Sequence, residues 1–411
     1  MASNLTEPLE STMQDHTAKR YFTLVLLIMT STLSTLSDNL FLPSLPHLPE
    51  YFHTTREMVK YTVSLSMLAY GSGLLFFGPL SERFGRKPVL VTAMAIFTTV
   101  SFGCTVATSI GQLIAARVLQ GVASGAEGVL VMSILVDLFD TRGQVRANSL
   151  YRAACAVPPI FAPILGSYVY LHYGWQANFY LLASIALVVT VCLQVFLRES
   201  RSDQKPRESF KAVLLNYGRL AGERSFLCLA VIMGAGIGFL VIFHMTTPFV
   251  LFEVLHQKTQ VFGYFQACMM LTLISSYGVT GYLVRRMPIT RVIVGALLVA
   301  LVGNLLLIVA VSQSELTLLS FGIPVMVIAF GSAPLLPAVP ALVMKATEVP
   351  TGQAAAMLLT ITSILASMTA VIEGRISDGS VWSYVIVLMA WPILALVAYW
   401  VGVRGRVFAK A

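Results

Sequence analysis

The chain has 411 residues, 57% of them hydrophobic and only 11% charged, against roughly 25% charged in soluble domains. A soluble fold of this length cannot hide so much apolar surface, so the composition indicates an integral membrane protein, and long apolar runs without strand-like alternation make it helical. A formal net charge of +8 would suit a nucleic-acid partner in a soluble protein, but here the cations cluster in short loops between apolar runs, which excludes that reading.

Taken in order, the apolar runs predict twelve membrane spans: Tyr21–Leu42, Val59–Leu80, Pro88–Ala107, Gln112–Leu138, Ala147–Leu171, Trp175–Leu197, Phe226–Leu251, Phe262–Leu283, Ile289–Val311, Leu316–Met344, Gly352–Ile372 and Ser380–Val401. Each has the ~20 residues needed to cross ~30 Å of hydrocarbon. The fourth and tenth are the longest and are expected to tilt or to reach beyond the bilayer. The polar start of the chain, with Glu7, Glu10 and Asp15, lacks the basic leader and cleavage site of a signal peptide, so the first run is read as an uncleaved helix.

Lys and Arg concentrate in the loops of one side: Arg83, Arg86 and Lys87; Arg142, Arg146 and Arg152; the stretch from Arg198 to Arg224; Arg285 and Arg286; and Arg404, Arg406 and Lys410. Arg56, Lys60, Lys258 and Arg375 fall on the other side, and Arg117 lies inside a span. This asymmetry places both termini in the cytoplasm. The polar stretch after the sixth span divides the chain into residues 1–198, a cytoplasmic linker 199–223 and residues 224–411. The five cysteines all fall in apolar runs without metal-site spacing and read as small buried hydrophobes. No phosphate-cradling G-x-x-x-x-G-K-[ST] occurs, nor a G-x-S-x-G elbow. The expectation is therefore a protein that is not an enzyme, has no cofactor or metal, and draws on an ion gradient for any pumping.

Between the second and third spans stands Gly78-Pro79-Leu80-Ser81-Glu82-Arg83-Phe84-Gly85-Arg86-Lys87-Pro88-Val89-Leu90. Gly78 and Gly85 allow a sharp reversal, Pro88 suits the first turn of the next helix, and the Glu82 carboxylate can pair with Arg83, Arg86 or a helix end. The string resembles the loop 2–3 motif of the major facilitator superfamily, with Glu82 where that family usually has Asp. Gly281-Tyr282-Leu283-Val284-Arg285-Arg286-Met287-Pro288 stands in the same place in the second half and looks like a worn copy. The resemblance implies an all-α membrane fold of twelve transmembrane helices in two pseudo-symmetric six-helix bundles around a central cavity. The charge density of the motif predicts that Glu82, Arg83 and Arg86 hold the outward-facing state through contacts with helix ends across the cytoplasmic interface.

Four stretches within the spans carry chemistry. Asp38, in Ser37-Asp38-Asn39-Leu40-Phe41-Leu42-Pro43, is an ionisable group one to two turns inside the interface, where such groups usually face a cavity. It resembles the first-helix motif of the drug:proton antiporters of the superfamily, in which the Asp would stand at Asn39; a one-residue offset turns the side chain by ~100°. Arg117-Val118-Leu119-Gln120-Gly121 resembles the fourth-helix R-x-x-Q-G of these antiporters and puts Arg117, Gln120, Gly121 and Ser124 on one helix face. Glu127 lies ten residues on, ~15 Å along the same helix; it reads either as a second proton or cation site or as a structural hydrogen-bonding group. Pro158-Pro159-Ile160-Phe161-Ala162-Pro163-Ile164-Leu165-Gly166-Ser167 resembles the fifth-helix G-P-x-x-G-G and gives Pro159, Pro163 and Gly166 a gating role. His244-Met245-Thr246-Thr247-Pro248-Phe249 resembles the seventh-helix string of the Bcr/CflA-like branch, with His244 a weaker proton-site candidate against a structural role. Arg152 reads as an inner-leaflet anchor, with a cavity cation as the alternative. One arginine cannot compensate two ionised acids inside the membrane, so one acid is expected to be protonated, Glu127 being the deeper.

These resemblances imply a monomeric proton-coupled antiporter of the bacterial inner membrane, of multidrug-efflux type, exporting small amphipathic organic compounds. The alternative is export of an anionic metabolite or siderophore by the same machinery. A receptor or scaffold without transport is the third class, and it has no need of Asp38, Glu127 and Arg117 inside the bilayer.

Overall fold

The computed structural model describes residues 7–139, 147, 150–151, 154–155, 157–200, 210–313, 316–377 and 380–403. The described residues form helices α1 (Glu7–Asn39), α2 (Leu48–Tyr51), α3 (Arg56–Phe84), α4 (Arg86–Thr105), α5 (Ile110–Leu138), α6 (Pro158–Tyr173), α7 (Trp175–Phe196), α8 (Phe210–Gly222), α9 (Arg224–Phe249), α10 (Thr259–Val284), α11 (Ile289–Val311), α12 (Leu318–Ser332), α13 (Leu335–Ala346), α14 (Thr351–Ile376) and α15 (Val381–Ala398). Among them, eleven stretches are long and apolar enough to cross a membrane. Of the expected fifth span, Pro158–Tyr173 is described as one continuous helix; Arg152 lies outside the described residues.

Local chemistry sets the ends. The hydroxyls of Thr55 and Ser109 accept from the backbone N–H of Met58 and Gln112, each at 3.3 Å, satisfying donors that a helix start leaves open. Thr317 and Ser320 form a reciprocal capping box at α12. Gly85 and Gly174, at φ +102° and +83°, make the reversals into α4 and α7. The tenth span, Leu318–Met344, is broken into α12 and α13 at Ala333–Pro334, where Pro334 and Pro337 have no N–H for the helix ladder. One expectation needs correction: of the five free cysteines only Cys104 is fully buried, and Cys268 is exposed on α10.

Exposed Phe161, Leu187, Leu271, Val309 and Ile386 mark the faces turned to lipid. Inside the N-terminal half, α3 and α5 are fused through glycine. A Cβ on Gly73 would stand 2.5 Å from the Val122 carbonyl oxygen, and one on Gly121 would collide with the Ser66 carbonyl. The two halves meet along α3 with α14 and along α6 with α10. On the first seam the Thr360 hydroxyl donates to the Gly71 carbonyl at 2.8 Å and the Ser367 hydroxyl to the Ser64 carbonyl at 2.6 Å. At the end remote from the basic loops, the apolar core runs unbroken from Leu40, Phe41 and Leu45 to Phe243, Phe249 and Phe262 of the other half. The linker is not simply polar coil: α8 tucks Val213 and Leu220 inward and leaves Leu214 and Leu215 exposed, while Asn216 donates to Gln353 of α14 at 2.9 Å.

Gly121→Leu is expected to lower stability by about 1–3 kcal/mol, the usual cost of overpacking, because backbone and not a flexible side chain opposes it. Gly103→Ala, with open space at its Cβ, is expected to leave stability unchanged or slightly raised. Thermal unfolding of the two purified variants checks both.

Candidate functional site

A cavity of about 1020 Å³ lies between the halves. It runs from Asp38 and Leu42 to the basic end, where Glu82, Arg86, Tyr217 and Gln353 line its mouth. Its walls differ in chemistry. The N-terminal half contributes Ser34, Asp38, Tyr70, Ser124 and Glu127, whereas α9 and α14 contribute Met233, Ile237, Leu240, Val241 and Leu358, with His244 among them.

At the head of the cavity, Arg117 Nη2 donates to Asp38 Oδ1 at 3.1 Å. Arg117 is 1% exposed, whereas the Asp38 side chain is 66% exposed and faces the cavity. The guanidinium is therefore held behind its partner. Its Nη1 donates to the Ser37 hydroxyl at 2.7 Å and to Gln120 Oε1, and Gln120 Nε2 donates to Ser101 at 2.7 Å. The Phe41 ring lies 5.8 Å from the guanidinium carbon. Asn39, one residue on, is buried and donates to the Thr35 carbonyl at 2.8 Å. So at the end of α1 it is position 38 that presents an exposed side chain to the cavity and pairs with Arg117, while Asn39, which also borders the cavity, is buried and turned to the α1 backbone. The helix stops there, and Pro43 and Pro46 carry the chain into a 3-10 turn, Leu42–His47.

Glu127 is buried on the same α5 face, within hydrogen-bonding reach of the Ser31 and Ser34 hydroxyls. Ser31 in turn pairs with the Tyr151 hydroxyl at 2.7 Å. Ser124 and Gly121 line the wall between Glu127 and Arg117. His244 sits on the opposite wall, where Gln266 reaches it at 2.8 Å. Pro163 lies inside α6, and Gly166 lets that helix press on the Leu40 backbone beside Asp38; Pro159 stands in its first turn.

A family model for the major facilitator superfamily matches residues 27–371. The chain belongs to the major facilitator superfamily. It is 28% identical over 230 residues to multidrug resistance protein D of Escherichia coli strain K12, covering 52% of this chain and 58% of that protein. It is also 28% identical over 222 residues to multidrug resistance protein MdtL of Escherichia coli O127:H6, covering 53% of this chain and 55% of that protein. The chain thus spans about half the length of the curated relatives it matches. Among solved structures, a peptide transporter complexed with sulfate overlays at a TM-score of 0.76 with 13% identity, covering 92% of this chain and 94% of that one. At that identity the overlay shows the fold alone.

The superfamily loop motif sits at the cavity mouth. Arg86 Nε is 3.5 Å from Asp137 at the end of α5, and its Nη2 is 3.8 Å from Glu82. Arg83 lies against the Phe84 ring, and Gly78 lines the cavity. The start of α4 is capped by Glu199 from beyond α7: its oxygens accept from the backbone N–H of Arg86 at 2.9 Å and of Lys87 at 3.1 Å. An acid at a helix start is favoured by the exposed N–H groups and the helix dipole. Sequence reasoning assigned no role to Asp137 or Glu199. It also missed Glu373, placed just past its eleventh span, and treated Lys60 as a loop cation. The available signal was Lys60 itself, one residue inside the predicted second span.

Gly85→Val is expected to abolish cap and turn together, since φ is +102° and an added Cβ would stand 2.5 Å from Glu199 Oε2. Transport activity should fall at least tenfold at near-normal expression, and Glu199→Gln, which keeps the acceptor oxygen but not the charge, should fall less. Substrate-accumulation assays normalised to membrane protein level check the ranking.

Proposed function

We propose that the protein is a proton-coupled antiporter that exports small amphipathic organic compounds across the bacterial inner membrane, with the basic end in the cytoplasm. The observation that carries the reading is the Asp38–Arg117 pair at the blind head of the cavity. A carboxylate there is open to substrate and water and is paired with a cation that substrate cannot reach. Taking up a proton at Asp38 removes its charge and frees Arg117 to lean on Ser37 and Gln120 alone. A bound cationic or hydrogen-bonding substrate competes for the same carboxylate. Proton and substrate then exclude each other at one site, which is what exchange requires.

The wall chemistry supports amphipathic substrates: one side offers carboxylates and hydroxyls, the other mostly aliphatic carbon, and both carry methionine. The names of the two Escherichia coli relatives agree with a multidrug-efflux role. The alternative of an anionic metabolite or siderophore needs a cation presented to the cavity. Among the described residues, Arg117 is buried behind Asp38, and the cation that does line the cavity, Arg86, is engaged with Asp137 at the mouth. This favours cationic and neutral compounds over anions. The cavity reaches the basic end and the opposite end is packed shut, so on this orientation the structure is in the inward-facing arrangement.

In proteoliposomes with an imposed pH gradient, the parent is expected to accumulate ethidium and to release protons as it does so. Asp38→Asn should lose gradient-driven accumulation while keeping part of its ethidium binding. Parent-like pH dependence in Asp38→Asn would move coupling to another carboxylate, Glu127 first. Failure of the parent to move cationic, neutral and anionic probes alike would sink the transport reading.

The two partners should also act as a unit. The combined Asp38→Asn and Arg117→Gln variant is expected to lose less than the summed free energies of the single losses, because each single change already leaves the other group unpaired. Strict additivity in the same assay would show that the pair is not the coupling element.

A further inference from the structure

At the end remote from the cavity mouth, three ion pairs among the described residues bridge the halves. Arg56 of α3 pairs with Glu253 beyond α9. Arg375 Nε of α14 is 3.8 Å from Glu57 of α3, which also accepts from Tyr61. Between them Lys60 Nζ donates to both oxygens of Glu373, at 2.8 and 2.7 Å, and reaches the Ser377 hydroxyl at 3.3 Å. The outer two are partly exposed, but Lys60 and Glu373 are 2% and 0% exposed. The Phe249 ring, from the C-terminal half, lies 5.6 Å from the ammonium.

We propose that Lys60 and Glu373 are gate residues: their pair latches the closed end of the cavity and parts when that end opens. The proposal rests on the export reading above, since a cavity open at one end must open at the other to complete a cycle. Three features distinguish a latch from a structural tie. First, all three pairs cross between the halves, from the first turns of α3 to the last turn of α14 or, for Glu253, to the segment beyond α9, so rocking of the halves must part them. Second, a buried pair broken without water leaves two uncompensated charges, so the seam has two acceptable states, dry and closed or wet and open. Third, further along the α3–α14 seam Thr360 and Ser367 make hydroxyl-to-carbonyl bonds, which water can replace as they separate, and the close approach at Gly71 is chiefly to the Ser363 side chain. The opposite face of α3 is different: there glycine brings backbone onto backbone against α5, a contact that has no wet equivalent. Helix α3 is thus fixed to its own half and releasable from the other.

The test is hydrogen–deuterium exchange of the full chain in lipid nanodiscs, without substrate or gradient, on the parent, Glu373→Gln, Lys60→Met and the charge swap Lys60→Glu with Glu373→Lys. Each single variant is expected to raise exchange in residues 52–62 and 370–377 about tenfold while slowing it around residues 82–88 and 210–222. The swap should return both regions toward parent values. Parent-like exchange in Glu373→Gln, or a swap that restores nothing, overturns the proposal. So does a Glu373→Gln protein that loses its thermal unfolding transition or elutes as aggregate, because the pair is then a structural tie. Ethidium accumulation is measured separately on the same variants. An inactive parent with the expected exchange changes counts against the transport reading and leaves the latch standing.

Discussion

Hydrocarbon gives an unpaired charge nowhere to go: even on the insertion scale a central ion costs about 2.5–3.5 kcal/mol. In this chain the described interior charges accordingly gather on faces turned to the cavity or to the seam between halves. Asp38 and Arg117 meet within the N-terminal half, Lys60 and Glu373 meet across the seam, and Arg86 meets Asp137 at the cavity mouth. The lipid-facing surfaces carry Phe, Leu, Ile and Val instead. Each pair forms only when particular helices are side by side, so the charges that make the interior reactive also restrict how the bundle can be arranged.

Small residues set how firmly each helix is held. Gly73, Gly121 and Gly125 bring α3 and α5 to backbone contact, and Gly166 does the same for α6 against the end of α1. These contacts exclude water and keep the N-terminal half rigid. The α3–α14 seam uses serine and threonine bonded to carbonyls. On the export reading, a bundle that moves as two bodies needs both kinds of contact, and α3 carries one on each face. The same rigidity fixes Asp38, because the Leu40 backbone just beyond it is pinned by α6.

The two walls divide the work of the cavity. The N-terminal half supplies the carboxylates, the C-terminal half supplies mostly aliphatic surface with His244, and each half lends two methionines, a residue suited to varied shapes. On the antiport reading, charge exchange takes place on the rigid wall and hydrophobic fit on the other. Glu199 adds a link outside the membrane: by capping α4 it ties the segment after α7 to the loop motif at the mouth.

Much of this was legible in the amino-acid order. Apolar run length determined the number and place of the spans, because the hydrocarbon thickness fixes how many residues a helix needs. The string Gly78–Leu90 and the Arg117–Gly121 motif pointed to the superfamily, and Asp38, Glu127 and His244 stood out as ionisable groups in apolar surroundings. Sequence reading named Asp38, but its one-residue offset from the motif position, Asn39, left the direction of its side chain open. The end of α1 and its turn into Leu42–His47 decided it, through the direction of one helix face. Lys60 and Glu373 stand 313 residues apart and each lies near a predicted span end, where an ionic group reads as ordinary interface. Glu199 likewise reads as one charge among many in a polar linker. What a charge does inside a membrane depends on which helix is packed beside it, and that neighbour is fixed by the three-dimensional packing of helices far apart in the chain.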